Sequence, residues 1–149
     1  MTPRVKIFRP AANPLSSPLA GIGLPARGQS LFLVVKAGLD ASVFNQLASL
    51  MGTSPKKLAQ WLGMSSSTFY RRLKRGRFGS DESDRTVRAA KMFSESVSLF
   101  DGDQGAARIW IRTPLKGLNG KAPVQLLQTG VECQALLDLI GRLENGVFS

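Results

Sequence analysis

The sequence contains no histidine and a single cysteine, Cys133. Without histidine the chain lacks the commonest general base, the commonest metal ligand and the pivot of the usual catalytic triads. One cysteine cannot supply a disulfide framework or a zinc site built on cysteines. Acids are scarce as well, with 10 Asp and Glu against 20 Lys and Arg. No two of them stand in an arrangement typical of acid–base catalysis, so an enzyme is not expected. No apolar run approaches the roughly 20 residues of a membrane span. Arg4, Lys6 and Arg9 precede Pro10, Pro14 and Pro18 with no apolar segment between, so no signal peptide is expected, and the cytoplasm is the expected location. The glycines of LAGIG and GLNGK lack the strand-to-helix setting of a phosphate loop, and no cofactor is expected.

What remains is a basic chain of 149 residues, 43% hydrophobic. That length and composition support a real core, in one domain or two small ones. A formal net charge of +10 suits a polyanionic partner, most often nucleic acid. An acidic protein surface would fit the same charge.

The most legible stretch is Thr53 to Arg77. Ser54 is a good N-cap, Pro55 suits the first helical position, and Leu58, Ala59 and Leu62 form an inward face. Gly63 breaks that helix, and Ser65 or Ser66 can cap the next. In the second helix Phe69 and Leu73 lie on one face, four residues apart. Ser66, Ser67, Tyr70, Arg71 and Lys74 fall opposite. Arg71, Arg72, Lys74, Arg75 and Arg77 crowd into seven residues without an acid. Two apolar anchors below and hydroxyl, phenol and guanidinium groups above suit a helix-turn-helix whose second helix enters a DNA major groove. Arg71, Arg72 and Lys74 are then phosphate contacts, with Ser66, Ser67 and Tyr70 nearer base edges. A helical hairpin with a solvated charged face, as in many all-α domains, is the plainer alternative.

The flanking segments read as further helices. Residues 1–29 hold most of the prolines, four cations and no acid, which suits an extended or disordered arm, either a mobile tail or a strand laid along DNA. Leu31 to Val35 is β-prone, but Ser30 and Gly38 bracket a short helix, the preferred reading. Asp40 caps a helix to Met51 whose stripe is Val43, Phe44, Leu47, Leu50 and Met51. A long helix runs from about Glu82 to Phe100, with Ala90, Phe93, Val97 and Phe100 inward. Asp81–Arg85 and Asp84–Arg88 are spaced as i,i+4 pairs, either helix support or a partner contact. Asp103 caps a short helix with Ala107, Ile109 and Trp110 apolar. A loop follows from Thr113 to Ala122, then a short helix opened by Pro123 and ended by Gly130. The last helix spans about Val131 to Asn145, with Cys133, Leu136, Leu137, Ile140 and Leu143 on its stripe and an Asp138–Arg142 pair. After Asn145-Gly146 the sequence closes on Val147, Phe148 and Ser149. That apolar pair either folds back on the last helix or inserts into a partner. The fold class is all-α, divided into the arm at 1–29, a helical unit at 30–100 and a C-terminal unit at 101–149.

Two stretches resemble a known family. LAQWLGMSSSTFYRRLKRG is similar to the helix-turn-helix of Xre-type antitoxins in RES–Xre toxin–antitoxin systems. AARIWIRTPLKGLNGKAPVQLLQTGVECQALLDLIGRLENGVFS is similar to their C-terminal toxin-binding domain, and the likeness spans roughly residues 38–149. It implies an antitoxin that neutralises a RES-domain, NAD-degrading toxin. It also implies homodimers, a larger complex with toxin, and binding of operator DNA to repress the shared operon. The closing motif Arg142, Glu144, Asn145, Gly146, Val147, Phe148 and Ser149 would block the toxin's active-site cleft. The alternative is a stand-alone helix-turn-helix repressor without a toxin partner.

Overall fold

Local capping signals set the helix boundaries, and one long central helix collects the rest. The computed structural model describes residues 19–22, 24 and 29–146. Among these residues it contains seven α-helices and no β-strand. They are α1 (Gln29–Ala37), α2 (Ala41–Leu50), α3 (Pro55–Trp61), α4 (Ser66–Arg75), α5 (Ser80–Leu99), α6 (Gln104–Trp110) and α7 (Gly130–Glu144). Short 3-10 turns cover Ala20–Ile22, Lys116–Leu118 and Pro123–Leu126.

Helices α3 and α4 start where the hydroxyls predict. The Ser54 side chain accepts from the Lys57 amide at 3.1 Å, and the Ser65 side chain from the Thr68 amide at 3.2 Å. Each satisfies one of the amides that a helix start leaves unpaired. Asp103 and Thr129 do the same for Ala106 and Glu132. Phe44 of α2 packs on Phe69 of α4 with ring centroids 6.0 Å apart and stacks on Phe78 at 4.5 Å. With Leu47, Met51, Leu58 and Leu62, all fully buried, these rings hold α2, α3 and α4 as one unit. Gly38 makes the return of the chain possible. Its φ is +91°, and a Cβ there would lie 2.2 Å from the Phe78 carbonyl oxygen, so only glycine fits.

Helix α5 packs against α1, α6 and α7. Ala89, Ala90, Met92, Phe93 and Val97 are buried on it, and α7 sets Cys133, Leu136 and Ile140 into the same core. One hydrophobic cluster therefore runs through both the 30–100 and the 101–149 segments.

Several expectations give way to other partners. Asp40 stands at the α2 N-cap position, but its side chain accepts no capping bond. The start of α2 is tied instead to the end of α4, through a bridge between Asp40 and Arg77 and a bond from the Ala41 amide to the Gly76 carbonyl. Asp84–Arg88 pairs at 2.8 Å. Arg85 leaves Asp81 and donates to the Leu62 carbonyl at 2.8 Å. Asp138 accepts from Gln134 rather than Arg142. Gly130 is the first residue of α7 rather than a stop, because Thr129 caps the helix before it. The segment over Pro123–Leu126 is a 3-10 turn. The 113–122 loop is braced by a Leu115–Lys121 bridge. The arm at 1–29 lies almost entirely outside the described residues.

Glu82 is the buried charge that joins α4 to α5. One carboxylate oxygen accepts from Arg72 Nε at 2.7 Å and from the Gly79 amide at 3.0 Å. Burial pushes the carboxyl upward, but the Gly79 amide and Arg72 outweigh it, so Glu82 titrates below the usual value. A depressed carboxyl stabilises the fold above its unfolded-state pKa, and that contribution disappears as pH falls through the folded value. Glu82→Gln should therefore cost about 1–3 kcal/mol near pH 7. In urea titrations the gap to wild type should close toward pH 3.

Candidate functional site

On α4, one turn of helix separates Ser66, Tyr70 and Lys74, and another separates Ser67, Arg71 and Arg75. Two adjacent rows of side chains therefore share one face. All six are exposed, while Phe69 is buried and Leu73 half-buried beneath. The Tyr70 ring rests on Phe69 at 5.3 Å, which steadies a phenol that is 52% exposed. No acid lies on α4, so the rows present hydroxyl, phenol and cationic groups together. The helix ends at Gly76, whose φ of +81° suits the left-handed cap.

Two of the eight side chains that the sequence offers as DNA-contact candidates, Arg72 and Arg77, are bonded within the chain. Arg72 is half-buried and bound to Glu82, on the flank that meets α5. Arg77 donates from Nη1 to the Gly38 carbonyl at 2.6 Å. Both cations brace the fold, and the helix-spacing argument could not separate them from their neighbours. Ser66, Ser67, Tyr70, Arg71, Lys74 and Arg75 form the coherent surface.

The other candidate end is the close of α7. Asn145 is the C-cap, and Gly146 follows with φ +70°, its amide bonded to the Leu143 carbonyl at 3.2 Å. Arg142 is exposed. Glu144 is half-buried and accepts from the Ser98 hydroxyl at 3.0 Å, which ties the end of α7 to the end of α5. Nearby, burial pushes the Glu95 carboxyl up; Lys91 opposes this and Glu144 adds to it. Val147, Phe148 and Ser149 lie outside the described residues. Cys133 is buried, and burial pushes its thiol up, which suits a core position and not a nucleophile.

Two arginines that local pattern does not single out join the halves of the chain. Arg108 donates from Nε to the Leu50 carbonyl at 2.8 Å. Arg112 donates from Nη2 to the carbonyls of Met51, at 3.1 Å, and Gly52. They stand four residues apart, one on α6 and one just past its end, and grip carbonyls at and just beyond the end of α2. Their targets are about sixty residues away in sequence, so only the tertiary fold reveals the contact.

Two protein-family models match the chain. The antitoxin Xre-like helix-turn-helix domain matches residues 31–91. The antitoxin Xre/MbcA/ParS C-terminal toxin-binding domain matches residues 97–146. A protein of Yersinia enterocolitica named Antitoxin Xre is 40% identical over 131 residues, which cover 86% of this chain and 88% of that one. A protein of the same name from Photorhabdus laumondii is 28% identical over 148 residues, covering 97% of this chain and all of that one.

Proposed function

Because the chain belongs to the Xre antitoxin family, with a helix-turn-helix domain and a toxin-binding domain, we propose that it neutralises a RES-domain toxin that degrades NAD. The observation that carries this reading is the match of residues 97–146 to the toxin-binding domain, which reaches Gly146. In the proposed mechanism α7 is a strut, rigid because Cys133, Leu136 and Ile140 anchor it on α5. Gly146 lets the chain turn into the toxin's active-site cleft. Val147 and Phe148 fill an apolar part of that cleft, while Arg142, Glu144, Asn145 and the Ser149 carboxylate meet polar groups at its rim. A pre-ordered strut reduces the entropy lost on binding.

The same protein, as a homodimer in the cytoplasm, would bind operator DNA and repress the operon it shares with the toxin. The six exposed side chains of α4 support that part. Arg71, Lys74 and Arg75 supply phosphate contacts, and Ser66, Ser67 and Tyr70 stand where base edges would be. Two copies would place their α4 helices in half-sites about one DNA turn, roughly 34 Å, apart. Arg72 and Arg77 drop out of the proposed contact set, since both already bind within the chain.

Removing Val147, Phe148 and Ser149 should leave the melting temperature and oligomeric state unchanged and abolish protection of cells that express the toxin. Full protection by the truncated chain would show that the tail is not the blocking element. Changing Arg71 and Lys74 together to Glu should eliminate operator binding in a mobility-shift assay while toxin binding persists. Wild-type affinity for operator should fall steeply between about 50 and 200 mM salt. A salt-independent affinity would contradict the phosphate-contact assignment.

A further inference from the structure

A groove of about 520 Å³ lies between the helix-turn-helix unit and the C-terminal unit. Lys57 and Trp61 of α3 form one wall, and Arg112, Pro114, Val124 and Gln125 the other. The Arg112 guanidinium sits 5.7 Å from the centre of the Trp61 ring, over its face. Its Nη2 is held by the Met51 and Gly52 carbonyls, so the cation is fixed before any partner arrives. Nη1 and Nε remain as donors. Lys57 is exposed and meets no carboxylate among the described residues. The Gln125 carbonyl oxygen is occupied by the Ala122 amide at 2.7 Å, which leaves its NH₂ group as donor. No side chain lining the groove is anionic.

Both charges in the groove are positive, and Trp61, Pro114 and Val124 give its walls apolar surface. The backbone of duplex DNA could satisfy the cations, but its bases are paired and stacked within the duplex, so only sugar edges would meet Trp61, Pro114 and Val124. A peptide carrying a carboxylate next to an apolar side chain satisfies both. The Arg112 wall also lies within the segment that matches the toxin-binding domain. We propose that this groove is a second docking surface for the toxin, taking an Asp- or Glu-containing apolar segment of it. The carboxylate bridges Lys57 and Arg112, and the neighbouring apolar side chain rests on Trp61 and Val124. This inference depends on the chain binding a toxin, but not on the tail being what blocks it.

Lys57 carries the test, because its side chain makes no hydrogen bond or ion pair among the described residues, whereas Arg112 also braces α2. The proposed RES-domain toxin is titrated calorimetrically against the full-length wild type, Lys57→Gln and Lys57→Glu, with melting temperatures measured in parallel. Lys57→Glu should weaken toxin binding about tenfold or more, and Lys57→Gln less, with melting temperatures unchanged. An Asp→Lys or Glu→Lys change in the toxin that restores affinity for Lys57→Glu would identify the docked carboxylate. Equal toxin affinity for wild type and Lys57→Glu overturns the proposal while leaving the antitoxin reading intact. So does loss of operator binding alone, which would assign the groove to nucleic acid. Failure of the wild type itself to bind removes this proposal and the antitoxin reading together.

Discussion

The Glu82 carboxylate is the contact on which the geometry of the molecule depends. It accepts from Arg72 on the cationic helix and from the Gly79 amide at the start of the central helix. One partly buried anion thus fixes where α4 sits on α5. It also takes one cation out of a helix otherwise free of internal charge pairing, which decides the side of α4 that can face a partner. Removing the anion would leave Arg72 without its partner and the Gly79 amide without an acceptor, the two situations in which a polar interaction matters most to stability.

From that joint the central helix runs toward the far end of the protein. Its later turns carry Phe93 and Val97 against α7, and Ser98 meets Glu144 where α7 closes. A second connection crosses between the halves, with Arg108 and Arg112 holding the carbonyls at the end of α2. The exposed face of α4 and the C-terminal end of α7 therefore rest on one continuous core. A partner seated on α7 and the 112–125 segment lies against the scaffold that positions α4.

Local signals carried well into the structure where a single residue determines the outcome. Ser54, Ser65 and Asp103 each bond a specific amide three residues on. The apolar stripes of α2, α5 and α7 follow helical period and do face the core. Long polar side chains were harder to place. Arg85 and Asp138 both sit in i,i+4 register with opposite charge, yet each takes a different partner. For such exposed pairs the register is worth only a few tenths of a kcal/mol, so a nearby carbonyl or amide wins. Arg72 and Arg77 were indistinguishable in sequence from Arg71, Lys74 and Arg75, because the acceptors they bond lie on other elements. The interdomain groove has no sequence signature at all, since its walls are assembled from residues 53–61 and 112–125.

The central claim is that this chain silences a toxin by occupying it. The most direct measurement is an NAD-degradation assay of the proposed RES-domain toxin, titrated with the purified full-length protein. The account predicts that activity falls linearly with added antitoxin and reaches zero at a fixed stoichiometry. Undiminished NAD degradation with the antitoxin in saturating excess would contradict it.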